Sequence, residues 1–467
     1  MIKLFRHYVP TSTVVELLAD GLLCFFAILF AVLVGASPSA RDYGDIPMRA
    51  VLLPAAVFSL VMTAVCAALG LYKRHEIARF SLLVRRAILA LALASPIAYF
   101  AFTLIPDGNK QTREAIGFTL LFLLGGLVVI RQVLLRLGDL GIGERRVLIV
   151  GACTEARHVE ADLTAPSYPK VSVVGFRHAG TQDPDAQLRP RLLPTQQSLL
   201  DAVRLHKVDE IIVAVREQRG GVMPLDELLE CRINGIPVVD LAGFYERVRG
   251  EVPVESLKAS WLIYGNGFVQ HAMRSFVKRI FDIAVSIVLL MLAAPVMLVT
   301  AFAIRRESPG PIIYRQERVG LGGRTFNVLK FRSMRNDAEQ NGVAQWATRN
   351  DARITRVGNF IRKTRIDELP QLINVLRGEM SLVGPRPERP SFVKQLKERV
   401  PFYDVRHSVK PGVTGWAQVR YSYGASIEES RKKLQFDLYY VKNHSLFLDV
   451  LILVETVRVI LFREGAR

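Results

Sequence analysis

Four long apolar stretches open this chain, at residues 14–35, 50–71, 87–105 and 115–135. Each is close to the ~20 residues that cross a bilayer core. The pattern predicts four transmembrane helices. Three more stretches follow the first, so that first one reads as a retained span and not as a cleaved signal peptide. Charge in the connections sets the orientation. The segment after the second stretch carries Lys73, Arg74, Arg79, Arg85 and Arg86, whereas the opposite connections carry Arg41 and Arg49, then Lys110 and Arg113. Basic loops stay on the cytoplasmic side. That places the N-terminus and residues 72–86 inside and returns the chain to the cytoplasm near Gly138.

The pattern then changes to short β-rich runs. Arg146–Gly151, residues 171–176, residues 208–215 and residues 236–240 read as strands separated by helical segments, the alternation of a parallel, doubly wound sheet. A Rossmann-like α/β domain over residues 141–270 follows. Gly151-Ala152-Cys153-Thr154-Glu155-Ala156 lacks the second glycine that lets backbone approach a pyrophosphate. The reading is therefore a structural or regulatory domain with no cofactor-binding residues assigned.

A fifth apolar stretch, about residues 280–304, is long enough to span. Lys278 and Arg279 flank one end and Arg305 and Arg306 the other, which holds both ends on the cytoplasmic side. Pro295 sits in the middle, where it removes a helical hydrogen bond and clashes with the preceding turn. The expectation is a re-entrant helix–break–helix; a proline-kinked span is the alternative. Residues 446–462 are apolar but interrupted by Asp449, Glu455 and Arg458. They read as a helix lying on the membrane surface or packed into the domain core.

Bulk properties narrow the chemistry. A chain of 467 residues predicts about three domains. Half of it is hydrophobic and its mean hydropathy is positive, which fits membrane segments. The net charge of +18 suits nucleic acid, anionic lipid headgroups or phosphorylated substrates. No nucleic-acid-binding motif stands out, and the basic residues lie beside apolar segments, so phosphates and headgroups are favoured. Cys24, Cys66, Cys153 and Cys231 are scattered, with no metal-ligand spacing and no disulfide framework. A reducing cytosolic face is the simplest setting.

The densest chemistry lies at residues 366–388. Asp367-Glu368 is followed by Gly384-Pro385-Arg386-Pro387, with Arg362 and Arg365 just upstream. Phosphate chemistry calls for a carboxylate that attacks or holds a metal, and for guanidinium groups that absorb developing charge. An acidic pair in a first helical turn, favoured by the dipole, is the plainer reading. Lys330 and Arg332 alternate along a strand over 328–332, which predicts either a basic strip facing one side or a solvated charged face. Trp416 suits base stacking, interfacial anchoring or a core position. His407 receives no role.

These motifs, in their order along the chain, resemble the catalytic domain of bacterial sugar transferases, the polyprenyl-phosphate phosphoglycosyl transferases. The resemblance rests on Tyr314-Arg315-Gln316-Glu317-Arg318-Val319-Gly320, Lys330-Phe331-Arg332-Ser333-Met334, and Arg356-Val357-Gly358 with Arg362. It continues through Asp367-Glu368-Leu369-Pro370-Gln371, Gly384-Pro385-Arg386-Pro387 and residues 410–419. It is strong over about 275–467, and upstream the layout looks like that of the larger, multi-domain members. The family's break is often Ser-Pro; this chain has Ala294-Pro295.

The resemblance implies a membrane α/β protein with three parts: a four-span bundle at 1–140, the α/β domain at 141–270 (CoA-binding-like in the family) and a mixed α/β catalytic domain at 271–467 with the re-entrant helix. It implies that Asp367 attacks the sugar-bearing phosphate of a nucleotide-diphosphate sugar, with UDP as the nucleotide. Glu368 would be a Mg²⁺ ligand, and Arg362, Arg386, Lys330 and Arg332 would contact phosphate. The acceptor would be undecaprenyl phosphate, at the cytoplasmic face of the bacterial inner membrane, in an exopolysaccharide, capsule or O-antigen pathway. Membrane lipid is a further expected partner, nucleic acid is not, and a homodimer is a hypothesis. Two rivals are weaker. An NAD-dependent epimerase or dehydratase would want a full glycine fingerprint and a Tyr-x-x-x-Lys pair, and no tyrosine here has lysine four residues on. A non-catalytic scaffold or sensor would have no need of the intact Asp367, Glu368 and Arg386.

Overall fold

The computed structural model describes residues 2–5, 7–35, 48–72, 80–103, 111–139, 144–165, 171–179, 183–215, 223–254, 268, 272–335, 353–421 and 426–462. It forms two compact units, Met1–Leu4 with Tyr8–Phe244 and Phe5–His7 with Tyr245–Arg467. The division between them falls at 244/245. The physical reason is that residues 245–254 belong to the core of the second unit. Val252 and Val254 are buried there among Trp416, Leu434 and Tyr439, and Glu246 and Glu251 accept from Lys442 and Lys432 at 2.7 Å each.

Two three-residue strands, β1 (Ile2–Leu4) and β2 (His7–Val9), open the chain. Four long helices follow: α1 (Thr11–Gly35), α2 (Met48–Ala68), α3 (Phe80–Thr103) and α4 (Gln111–Asp139). Both α1 and α3 pack on α2 and on α4. Among the described residues, three helices are long and apolar enough to cross a membrane: Thr11–Phe30, Val51–Ala68 and, far downstream, Ala272–Glu307. The apolar run of α4 is shorter, Phe122–Leu134. Helix α3 begins seven residues before the expected span, so Arg85 and Arg86 lie on a helix and not in a loop. Arg86 is buried and donates to the Gly70 carbonyl at 3.3 Å. Lys73, Arg74, Arg79, Arg41 and Lys110 lie outside the described residues.

The helices also enclose charges that the hydropathy pattern passes over. Asp20 and Glu16 on α1 and Arg131 on α4 are all buried. The Arg131 guanidinium meets Asp20 Oδ2 at 2.7 Å and Glu16 Oε2 at 3.6 Å, and its Nε donates to the Leu71 carbonyl at 3.1 Å. Tyr72 donates its hydroxyl to the same Asp20 oxygen at 2.9 Å. Charge in an apolar setting persists only when paired in this way.

After α4 the predicted strands form one parallel sheet. They are β3 (Arg145–Val150), β4 (Val171–Arg177), β5 (Glu210–Val213) and β6 (Val238–Asp240), in the order β4-β3-β5-β6. Strand β5 is buried throughout, as expected of a strand paired on both edges. Helices α5 (Thr154–Leu163), α6 (Leu199–His206), α7 (Leu225–Ile233) and α8 (Leu241–Val248) alternate with the strands. Gly151 has φ +124°, and a Cβ there would lie 2.9 Å from the Ala214 carbonyl oxygen. The close approach of β3 and β5 is sufficient to require that glycine.

The second unit starts its main body with α9 (Ala272–Glu307), a helix of 36 residues that is continuous through Pro295. The helix–break–helix expected there is absent from the secondary structure. A hairpin of β7 (Ile313–Val319) and β8 (Thr325–Phe331) follows, antiparallel from Ile313↔Phe331 to Val319↔Thr325. Helices α10 (Arg356–Lys363), α11 (Gln371–Arg377) and α12 (Pro390–Arg399) surround it. Strand β9 (Ser381–Val383) pairs parallel with β10 (Gly412–Thr414). Helices α13 (Trp416–Arg420), α14 (Ile427–Asn443) and α15 (Leu446–Phe462) close the core. Of the two readings of the C-terminal helix, packing into the core fits. Leu448, Asp449 and Ile452 of α15 are fully buried, and Asp449 is held by Lys278 Nζ and the Tyr440 hydroxyl at 2.7 Å each.

Replacing Arg131 by Met should leave Asp20 and Glu16 without their cation and lower stability by roughly 3–5 kcal/mol. The double variant Asp20→Asn/Arg131→Met should recover a good part of that loss. Thermal unfolding of the detergent-solubilised protein reads both; a single variant as stable as the parent would refute the pairing.

Candidate active site

Asp367 and Glu368 sit in a single 3-10 turn, Ile366–Glu368, between α10 and α11. The turn is entered through Arg365, whose backbone is left-handed at φ 60°, ψ 13°. A residue with a Cβ adopts that conformation at a cost of about 1 kcal/mol or more. The reversal separates α10 from the turn and lets Arg365 and Glu368 meet. Two flanking contacts fix the platform. A Cβ on Gly358 would run into the Ser333 carbonyl, so α10 lies directly on the chain leaving β8. Asn374 of α11 is buried, accepts from the Leu329 amide at 3.0 Å and donates to the Asn327 carbonyl at 2.8 Å, which ties α11 to β8.

Three cations from three places converge on one oxygen. Glu368 Oε1 lies 3.1 Å from Arg386 Nη2, 3.6 Å from Lys330 Nζ and 3.6 Å from Arg365 Nη1. Lys330 comes from β8, Arg365 from the turn entrance and Arg386 from the loop after β9. Burial opposes ionisation of Glu368, but Arg386, Lys330 and Arg365 outweigh it and hold the carboxyl far below the usual range. Asp367 goes the other way. It is 9% exposed, and burial together with the neighbouring Glu368 charge pushes its carboxyl up to about 6. Its Oδ1 is buried without a hydrogen-bond partner. Burial lowers the Lys330 ammonium, with Glu368 opposing the shift. The result is one carboxylate firmly ionised beside another poised near neutrality, an arrangement suited to two different roles.

The motif glycines build the wall that carries Arg386. A Cβ on Gly384 would strike the Lys410 carbonyl, one on Gly412 the Gly384 amide nitrogen, and one on Gly415 the Gly384 carbonyl. Only glycine lets these two backbones approach so closely. Residues 410–415 are therefore the partner strand of the loop bearing Arg386. Trp416, just beyond, is core: it is 1% exposed, stacks on Tyr439 with centroids 5.8 Å apart, and donates to the Gly250 carbonyl at 2.7 Å.

The predicted residues divide accordingly. Asp367, Glu368, Lys330 and Arg386 come together. Arg332 does not join them, although its amide still bonds to the Ile312 carbonyl at 2.9 Å, one step beyond the last pair of the hairpin. Its buried guanidinium donates instead to the carbonyls of Ser308 and Pro309 at 2.7 and 2.9 Å, fastening the chain that leaves α9. Arg362 lies in the last turn of α10, half-buried, and makes no ion pair with either carboxylate. Arg365 is the site cation that the residue-by-residue reading leaves unassigned. Its spacing of three to Glu368 was the available signal.

A magnesium ion fits this setting in one respect and is restricted in another. Among the described residues there is no cluster of three metal-ligating side chains. Mg²⁺ bound through one or two carboxylates and substrate phosphate needs none, and the unpartnered Asp367 Oδ1 beside Glu368 supplies that donor set.

Comparison with known proteins gives the family. A family model described as bacterial sugar transferase matches residues 273–463. A UDP-glucose:undecaprenyl-phosphate glucose-1-phosphate transferase of Xanthomonas campestris pv. campestris is 32% identical over 464 residues, covering 95% of this chain and 94% of that protein. A UDP-N-acetylgalactosamine-undecaprenyl-phosphate N-acetylgalactosaminephosphotransferase of Aeromonas hydrophila is 47% identical over 240 residues, 51% of this chain and 56% of the relative. An undecaprenyl-phosphate galactose phosphotransferase of Salmonella typhimurium is 33% identical over 71% of each chain.

The opposed carboxyls have opposite stability signatures. Asp367 is raised above its unfolded value of 3.8, so the stability present below pH 3.8 is lost as pH rises through about 6. Asp367→Asn should therefore be more stable than the parent at pH 7.5 by about 2–3 kcal/mol, with no difference at pH 3.5. Glu368→Gln should be less stable at pH 7.5 by roughly 2–4 kcal/mol. Denaturation midpoints at the two pH values check both signs.

Proposed function

Because the chain belongs to the bacterial sugar transferase family, we propose that it moves a sugar-1-phosphate from a UDP-sugar to undecaprenyl phosphate. The observation that carries this reading is the buried Asp367–Glu368 pair with Lys330, Arg365 and Arg386 gathered on it. Such a set of fixed cations matches the charge that builds on a transferring phosphoryl group.

In this reading an Asp367 oxygen attacks the phosphorus that carries the sugar. A bond from that phosphorus to Asp367 forms, the bridging bond to the nucleotide breaks, and UMP leaves with the electron pair. A phosphate oxygen of the lipid then attacks the same phosphorus, freeing Asp367 and giving a polyprenyl-diphosphate sugar. What supports Asp367 as the attacking group is its raised carboxyl, more basic than an exposed aspartate yet largely ionised at pH 7.5. Arg386 and Lys330, which neutralise Glu368 here, would share their charge with the diphosphate. Glu368, with the unpartnered oxygen of Asp367, would hold Mg²⁺ against substrate phosphate, and the ion would supply further charge neutralisation.

The acceptor is a lipid, and α9 is the element suited to meet it. Apolar residues in its middle are exposed, with Leu292 and Leu298 at 72% and Val299 at 69%. Both ends are held by the same unit. Arg279 donates to the carbonyls of Val375 and Leu376 at 2.5 and 2.7 Å, while Glu307 accepts from the Arg356 and Val357 amides at 2.7 and 3.1 Å. That supports a helix that stays paired through Pro295 but bends there, entering and leaving one face of the bilayer, with Asp367 on the cytoplasmic side of the inner membrane. The product would be the first lipid-linked intermediate of an exopolysaccharide, capsule or O-antigen pathway.

A panel of UDP-sugars with undecaprenyl phosphate and Mg²⁺ tests the function. UMP should be released from at least one sugar, the release should need Mg²⁺, and Asp367→Asn should abolish it. The rate should rise with pH through about 6 as Asp367 ionises. Folded parent protein that releases UMP from none of the sugars would overturn the reading.

A further inference from the structure

Arg386 projects from a loop in which four successive carbonyls are each held from a different place. The Pro385 carbonyl accepts from the Gly412 amide at 3.0 Å and the Glu388 carbonyl from the Val319 amide at 2.9 Å. Between them, the Pro387 carbonyl accepts from Arg318 Nη1 at 3.0 Å and the Arg386 carbonyl from Arg406 Nη2 at 2.8 Å. Pro385 and Pro387 have fixed φ and no amide to satisfy. Their carbonyls are their only polar backbone groups, and both are taken.

The Arg406 contact is the costliest of these to build. Its guanidinium is 5% exposed and lies against Asp437, itself 2% exposed, at 2.8 Å. Its other terminal nitrogen donates to the Tyr403 hydroxyl at 2.6 Å, with the guanidinium 5.1 Å from that ring's centroid. Burying such a pair in place of apolar side chains gains little or no stability. What it provides is direction: Asp437 and Tyr403 hold the planar fork, and Nη2 also donates to the carbonyl of the residue whose side chain reaches Glu368.

We propose that Arg406, held by Asp437, is a positioning residue for Arg386. It sets the backbone of the Pro385–Pro387 turn so that the Arg386 guanidinium meets the transferring phosphate. The proposal rests on the transfer function above for its kinetic part and on the loop geometry alone for its structural part. Arg406 does not touch the substrate; it acts through Arg386. Arg318 supports the same turn from the β7 side.

The test uses the full-length protein in detergent with Arg406→Lys, and Asp437→Asn as a second variant should the first fail to fold. Hydrogen–deuterium exchange should show faster exchange in peptides covering residues 384–388, with the exchange of α14 and the unfolding midpoint close to the parent's. UMP release should fall about 10–100-fold in kcat, as a displacement of about 1 Å predicts, with KM for the UDP-sugar within threefold. In an Arg386→Ala background the same substitution should cause less than a twofold further loss, because the residue it acts through is gone. Unchanged exchange at 384–388, or equal losses in both backgrounds, would overturn the proposal. If the parent releases no UMP, the transfer function fails, and the exchange measurement still decides whether Arg406 orders the loop.

Discussion

Three cations meeting one oxygen of Glu368 is the interaction around which the second unit is organised. Like charges do not gather without a reason, and Lys330, Arg365 and Arg386 are kept together by a carboxylate that burial alone would tend to neutralise. Each cation arrives by a different structural device. Lys330 stands on a strand of the hairpin, Arg365 on a left-handed residue, and Arg386 on a loop fenced by two prolines. Losing Glu368 would leave the three cations facing one another without the carboxylate they share. Asp367 is raised by its burial first and by the Glu368 charge second, and the same three cations oppose that shift without cancelling it. The two carboxyls diverge because the cations outweigh burial at Glu368 and do not outweigh it at Asp367.

Most of the remaining motif residues serve that convergence indirectly. Gly384, Gly412 and Gly415 allow two backbones to touch, and Gly358 lets α10 lie on the chain after β8. Arg318 and Arg406 hold carbonyls of the Arg386 loop. Arg332 fastens the segment after α9. Motifs that look like a catalogue of catalytic residues are in large part a catalogue of close backbone approaches and buried guanidinium clamps. That division suits electrostatic catalysis, which depends on charges that do not reorganise when the reaction begins.

Membrane segments show a related logic. In the first unit the buried Asp20 and Glu16 of α1 both face Arg131 of α4. In the second, the polar groups at both ends of α9 bind backbone groups of their own unit, and the middle of the helix is left apolar and exposed. In both places charge is confined to where protein can answer it, as an apolar solvent requires.

Composition and periodicity by themselves determined the parallel strands of the α/β region, the long apolar helices and the position of the acidic pair. These are local properties, set by side-chain polarity repeating at the period of one element. Neighbouring residues also marked Asp367, Glu368 and Arg386 as candidates, whereas Lys330 was marked by its alternation with Arg332 along a strand together with the family resemblance. The tertiary structure decided what each charge faces. Lys330 and Arg332 are two residues apart, yet one meets Glu368 and the other meets carbonyls near Pro309, because each long side chain takes the partner that the surrounding fold brings to it. The pairing of Arg131 with Asp20 spans 111 positions and that of Arg406 with Asp437 joins two separate elements. No local pattern encodes either one. A carboxyl poised near pH 6 exists only once the chain has closed around it, because burial and neighbouring charge arise from residues that are distant in sequence and close in space.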